Sequence, residues 1–432
     1  MEDKRNLPFI DVDDLLIGVF IHLDLGWMSH PFSKSSFRIN SVEQIGTLKE
    51  LGLKRVRWSP QDSDFEVIKA IKVRSRLDDH PSGLLSEPAD KSSLSNDALA
   101  LKLALEDQRA VMRACEKGFA HATETCAMIT DMVPRDSVNA AERARTLICE
   151  MVDGITKHPN VCIRLLTEAA GDRASLHAVN VMILSLLLAR SLGWNLTDMT
   201  EMGVGALLHD IGKLDLNDRL RHPDASFTAT EHRAYEEHVS FGIDRARKMG
   251  LSSIATLVIA QHHEMSDGSG SPLHLINDRI SLAARLVALV NRYDNLCNPH
   301  IISQALTPHE AIAHIYAQNS FKFDSVILAA FVKMMGVYPV GSIVQLNDGR
   351  FAMVVAVNVG RSLRPSVLIH DTKVPRREAL IVDLAQRPQL SIRRSVKPLS
   401  LPAESMIYLS PRQRVAYFFE SSRIPDPQME LA

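Results

Sequence analysis

From about residue 158 to 335 the chain carries one long run of helical periodicity, punctuated by caps and not by strands. Apolar residues recur there at three- and four-residue spacing, the pattern of helices that bury one face against each other. Thr228 with Glu231 has capping-box spacing, and Thr307, Pro308 and Glu310 supply an N-cap, a proline at the first helical position and an acid at the third, so helices should start near 229 and 308. Inside such a bundle a titratable side chain needs a physical reason. The stretch GALLHDIGKLD, residues 205 to 215, sets His209 beside Asp210 in an otherwise apolar pattern. Adjacent helical residues point about 100° apart, so the two can share a site only at a helix edge or where the helix unwinds. Lys213 follows three residues after the aspartate, on the same face.

An isolated His-Asp pair is usually a core histidine with a hydrogen-bond partner. Here it is not isolated. His177 lies one helical pattern upstream, His238 sits on the helix that starts near 229, and His262-His263 end the apolar stretch LVIAQHHE. Five histidines and an aspartate on neighbouring helices resemble a ligand set for two divalent cations, with the carboxylate bridging and imidazoles capping each one. Two metals roughly 3.5 to 4 Å apart are the usual apparatus of phosphodiester hydrolysis, and Lys213 would offset phosphoryl charge. His30, His121, His158, His232, His274, His300 and His370 fall in loops or on solvent-facing positions and are left outside the set. Arg285 is a candidate phosphate contact, weighed against an ordinary salt bridge. Glu264 either orients His263 or stands as a solvated loop acid.

The remainder divides by pattern. Residues 9 to 58 mix alternating apolar segments with a helix at Val42 to Leu51 and a strand-like Arg55 to Trp58, and residues 73 to 96 are rich in Ser, Pro and Asp. Helical patterns run from Asp97 to Ile129 and from Ser137 to His158; beyond Gly336, two β-branched runs flank Asn347-Asp348-Gly349, a hairpin signal. The expected division is a module at 1–72, a linker at 73–96, a helical connector at 97–157, the helical domain at 158–335 and a β-rich appendage with tail at 336–432. A net charge of -2 disfavours nucleic acid or anionic lipid as a partner. Five scattered cysteines argue against a disulfide framework or zinc ribbon. No apolar run approaches 18 residues and the N-terminus lacks an apolar signal core, so a soluble cytoplasmic protein with no membrane partner is expected. A homodimer is left open.

The ordered series His177, His209-Asp210 with Gly212-Lys213, His238, and His262-His263 with Glu264 and Asp267-Gly268-Ser269-Gly270 resembles the HD-GYP subgroup of the HD phosphohydrolases. Asp14-Leu15, Gly18 and Trp27-Met28-Ser29-His30-Pro31-Phe32 likewise resemble the uncharacterised module often found ahead of that domain. The resemblance implies a mainly α chain: an all-helical HD phosphohydrolase domain, a small N-terminal α+β module and a small C-terminal β-rich appendage. It also implies a phosphodiesterase that hydrolyses the bacterial second messenger cyclic di-GMP to pGpG or GMP with iron or manganese. The alternative is a weak or inactive relative that binds cyclic di-GMP or a diguanylate cyclase partner. The chain departs from the family pattern in four places. Gly270-Ser271-Pro272 replaces Gly-Tyr-Pro. Asn291 stands where an aspartate ligand is expected, keeping a carbonyl oxygen but losing a charge; Asp294, on the same face, could compensate. Arg173 replaces the glutamate that accompanies a third metal, and Asn295 to Pro299 replaces an arginine-rich stretch.

Overall fold

The computed structural model describes residues 7–24, 30, 32, 35–63, 93–166, 172–223, 226–412 and 414–421. The N-terminal module is a four-stranded antiparallel sheet of β1 (Phe9–Asp11), β2 (Phe20–His22), β3 (Ser36–Arg38) and β4 (Arg55–Ser59), in the order β1-β4-β2-β3, with α1 (Val42–Glu50) on the chain between β3 and β4. Alternation aims Val19, Ile21 and Leu23 inward, whereas Ile17, of the same parity, is exposed because it lies in a turn ahead of β2, and Ile21 sits opposite both Phe37 and Trp58. Trp27 to Ser29, Pro31 and most of the 73–96 segment lie outside the described residues; 93–96 already belong to a helix.

The expected helices form. α2 (Ser93–Met132) and α3 (Ser137–Thr156) lead into α4 (Arg173–Ser191), α5 (Leu196–Leu208), α6 (Ala229–Met249), α7 (Ser253–Gln261), α8 (Leu282–Cys297), α9 (Pro308–Asn319) and α10 (Ser325–Met335). Both capping boxes are present, Thr228 with Glu231 and Thr307 with Glu310. α4 is apolar nearly all round and packs against α5 and α8. By length and composition it could cross a membrane, but 78% of its apolar window is buried inside the protein, which makes it the core helix of the bundle.

The C-terminal region is rich in strands, and it is joined to the helical body by a strand that helical periodicity hides. β5 (Val161–Leu165) pairs on one side with β7 (Phe351–Asn358) and on the other with β11 (Tyr417–Ser421). The sheet runs β10 (Ile392–Ser395), β6 (Ile343–Leu346), β7, β5, β11, with β8 (Ser366–Ile369) on β7 and β9 (Ile381–Asp383) on β8; α11 (Ala403–Leu409) precedes β11. β6 and β7 form the hairpin, turned by Gly349 at φ 90°. On β5 and β11, Arg164 Nε donates to Glu420 Oε2 at 2.8 Å and Nη2 to Oε1, a bidentate pair almost out of solvent. Glu420→Ala should therefore lower unfolding stability by about 3 kcal/mol, because it strands a buried guanidinium; Glu420→Gln should cost less, and chemical denaturation of the two variants checks the order.

Candidate metal centre

The bundle brings His177, His209, Asp210, His238, His262 and His263 to one place, from four helices. α5 ends at Leu208, so His209 and Asp210 occupy the point where the α-helix gives way to a 3-10 turn at Ile211–Asp215. α7 ends at Gln261, one residue before His262-His263. Both pairs thus stand at helix C-termini, where the partial negative charge of the helix favours cations. His177 comes from the second turn of α4 and His238 from the middle of α6.

The HD turn reaches α6 because residue 212 has no side chain. A Cβ on Gly212 would lie 1.9 Å from the His238 carbonyl oxygen and 2.4 Å from Gly242 N. Gly270 does the same for the loop beyond His263, where a Cβ would meet Met265 N at 2.3 Å and the His263 carbonyl oxygen at 2.5 Å.

Four imidazoles are oriented through Nδ1. His209, His238 and His262 donate Nδ1–H to the carbonyls of Ala206, Tyr235 and Ile259, each three residues earlier, at 2.7, 2.5 and 2.8 Å. His177 donates to Asp294 Oδ2 at 2.6 Å. A carbonyl or carboxylate oxygen can only accept, so each ring carries a proton on Nδ1 and turns Nε2 toward the site. Those Nε2 atoms converge. His177 Nε2 and His209 Nε2 lie 3.2 Å apart. Asp210 Oδ1 is 3.7 Å from His238 Nε2 and 3.6 Å from His262 Nε2, while Oδ2 is 3.9 Å from His177 Nε2 and 3.5 Å from His209 Nε2. The carboxylate is therefore shared between two clusters, Asp210 with His238, His262 and His263, and Asp210 with His177 and His209, each with donor atoms within 4.8 Å of one another.

Such donor sets fit divalent cations. Metal–ligand bonds of about 2.0–2.2 Å put neighbouring ligand atoms roughly 3–4 Å apart, the spacing seen here. Asp210 Oδ1 and the Nε2 atoms of His238, His262 and His263 are buried and meet no hydrogen-bond partner, an arrangement that is costly unless a cation takes the lone pairs. Burial holds His209 down to about 3 and His238 to about 4, and pushes His263 well below the ordinary imidazole range, so all three stay neutral and ready to ligate. Burial alone would raise Asp210, but Lys213 and the surrounding imidazoles outweigh it and hold the carboxyl well below its usual range. Lys213 Nζ donates to Asp210 Oδ2 at 2.6 Å and lies 5.3 Å from the centre of the Tyr235 ring.

Other sequence candidates take different places. Asp294 stands behind the histidine and does not replace a ligand: Oδ2 accepts from His177, and Oδ1 accepts from Asn180 and Asn298 at 2.9 Å each. Asn291 is buried one turn earlier on α8, and its Oδ1 accepts the Asn295 side-chain amide at 2.7 Å. Arg285 takes the salt-bridge alternative, donating to the Ile280 carbonyl at 2.9 Å and to Asp324 at 3.1 Å and so tying α8 to the start of α10. Glu264 does not orient His263. Its two oxygens accept from Leu273 N and Leu275 N at 2.7 and 2.8 Å and hold the Gly270-Ser271-Pro272 loop closed. Sequence reasoning passed over Asn180, Asn298 and Tyr235. Their spacing was the available signal, since Asn180 is three residues after His177, Tyr235 three before His238 and Asn298 four after Asp294.

A helical bundle that gathers imidazoles around one shared aspartate makes a helical domain with an HD pair at its centre and two clusters that could hold metal ions. Segments of the chain match three known domains. An HD domain matches residues 160–327, a domain of unknown function (DUF3391) matches 8–144, and a KOW domain associated with HD domains matches 343–403. The chain is 29% identical to the cyclic di-GMP phosphodiesterase PA4108 of Pseudomonas aeruginosa over 396 residues, 89% of this chain and 90% of the relative. It is 30% identical over 140 residues to the cyclic di-GMP phosphodiesterase response regulator RpfG of Xanthomonas campestris, covering 32% of this chain and 37% of that one. Among solved structures, Bd1817, an HDG"Y"P protein from Bdellovibrio bacteriovorus, overlaps with a TM-score of 0.41 at 15% identity, covering 76% of this chain and 97% of that one.

Two substitutions test the scaffold. Gly212→Ala should displace His238 and lower metal content, with the native fold retained or weakened, as read by elemental analysis beside circular dichroism. Asp294→Ala frees the His177 ring and should weaken metal binding by about 10- to 100-fold, measurable by chelator competition.

Proposed function

We propose that this chain is a two-metal phosphodiesterase that hydrolyses cyclic di-GMP to pGpG, to GMP or to both, with residues 158–335 as the catalytic domain, the 1–72 module as its regulator and iron or manganese as the metal. The observation that carries this reading is the division of Asp210, one oxygen facing His238 and His262 and the other facing His177 and His209. The relatives named as cyclic di-GMP phosphodiesterases support the choice of substrate.

When bound, a pair of divalent cations supplies water activation and neutralises phosphoryl charge. The chain's own residues do the rest. His177, His209 and Asp210 form one ligand set; Asp210, His238, His262 and His263 form the other. Asp294 and the i-3 carbonyls hold a proton on Nδ1 of four imidazoles and so turn Nε2 toward the ligand sets. Asp210 holds the Lys213 ammonium at the rim of the pair; with one N–H on the carboxylate, the others can donate to a phosphoryl oxygen as charge builds in the transition state.

Anaerobic purification with manganese or iron, followed by incubation with cyclic di-GMP and chromatography of the products, tests the reading. Turnover to pGpG or GMP is expected, together with about two metals per chain, and His209→Ala with Asp210→Ala should bring both to background. Equal turnover in that double variant would falsify the catalytic assignment. Two bound metals with no turnover, restored by Asn291→Asp, would instead favour a protein that binds the nucleotide without cleaving it, the missing charge at position 291 being the cause.

A further inference from the structure

Beside the metal centre lies a cationic cluster that the ligand set does not use. Arg173 is one helical turn before His177 on α4, on the same face. Its Nη1 donates to Nδ1 of both His222 and His300 at 3.0 Å, and those two rings stack with centroids 4.5 Å apart and planes 14° from parallel. Because a guanidinium only donates, both imidazoles accept through Nδ1 and carry their protons on Nε2. Burial, with Arg173 next, holds His222 down to about 4 and so keeps it neutral. Arg414 lies near enough to act on the Arg173 guanidinium as a like charge. Its neighbour Val415 is clamped to the support of the metal centre, accepting from Asn180 and Asn298 and donating to Asn298 Oδ1.

Charge accounting in this cluster is incomplete. Arg173 Nε and Arg414 Nη1 are buried and meet no acceptor, and among the described residues neither guanidinium forms an ion pair. The nearby carboxylates are already engaged, Asp210 by Lys213 and Asp294 by His177, Asn180 and Asn298. Two arginines that repel one another, each with a buried N–H directed at nothing, are costly unless an anion joins them. The chain also lacks arginines in the Asn295 to Pro299 stretch, so an anion grip has to come from elsewhere.

We propose that Arg173 and Arg414, with His222 and His300, form a phosphate subsite at the edge of the metal centre that takes the phosphodiester of the cyclic dinucleotide not being cut. The inference rests on the proposed phosphodiesterase reading and adds a grip for the substrate's second phosphate. One half of that grip comes from outside the HD domain, since Arg414 lies beyond residues 160–327 and is delivered by the segment that leads into β11. The C-terminal strands would thereby complete the substrate site.

Equilibrium dialysis of cyclic di-GMP against chelator-treated full-length protein separates this subsite from turnover. Arg173→Ala and Arg414→Ala should each weaken binding at least about 10-fold, the loss expected for one charge-assisted contact to a phosphate. Arg173→Lys should recover part of it, and the dependence of binding on salt should flatten in both alanine variants. Metal content after reloading should match wild type. Unchanged affinity in both alanine variants sinks the subsite even if the protein turns over cyclic di-GMP. Parallel loss of metal content and helicity in both, unrelieved by Arg173→Lys, also overturns it by assigning the arginines to structure alone. Arginine-dependent binding without turnover in metal-loaded wild type would uphold the subsite and sink the phosphodiesterase reading.

Discussion

Asp210 presents one oxygen to the imidazoles of α6 and α7 and the other to those of α4 and α5, and nearly everything else in the helical domain serves that division. A carboxylate can lie between two cation sites only if its own position is set from several directions. The end of α5 supplies the backbone, the 3-10 turn brings Lys213 back onto Oδ2, and Gly212 lets the turn lie against the α6 backbone. The same residues explain why so many lone pairs can be buried together. Neutral imidazoles facing one carboxylate repel each other little, and burial keeps them neutral.

Support for the centre extends well beyond the ligands. Asp294 fixes His177, Asn180 and Asn298 fix Asp294, and both asparagines are bound to the Val415 backbone. Val415 leads into β11, which pairs with β5 ahead of the core helix α4. The C-terminal strands are thus coupled to the orientation of one imidazole through a continuous chain of hydrogen bonds. Arg164 and Glu420 close the same strand pair with buried, opposed charges. A strand-rich region that looks peripheral in the sequence touches the site at its support and, through Arg414, at its rim.

Much of this was legible from the residues. The helices and both capping boxes followed from spacing because local caps and 3.6-residue periodicity depend on neighbours in sequence. The gathering of His177, His209, Asp210, His238, His262 and His263 was suggested by their order on neighbouring helices. Other features were hidden. Val161–Leu165 is a short segment, apolar but for Arg164, that periodicity cannot separate from a helix, and its partners lie about 190 to 260 residues away. Arg285 and Glu264 were read by residue type, yet each is spent on a backbone or ion-pair contact that only packing creates.

The sequence by itself determined the chemical inventory: five histidines and an aspartate at helical spacing, a lysine on the aspartate's face, and an asparagine where a second carboxylate is expected. Those follow from residue type and short-range geometry, which the chain carries locally. Tertiary structure decided how the inventory is divided. It set which oxygen of Asp210 faces which imidazoles, made Asp294 an orienting group for His177, engaged Arg285 with Asp324, and brought Arg173 of α4 and Arg414, ahead of β11, to the cluster beside the histidines. These are long-range contacts between side chains far apart in sequence, fixed only when the bundle and the sheet close on each other.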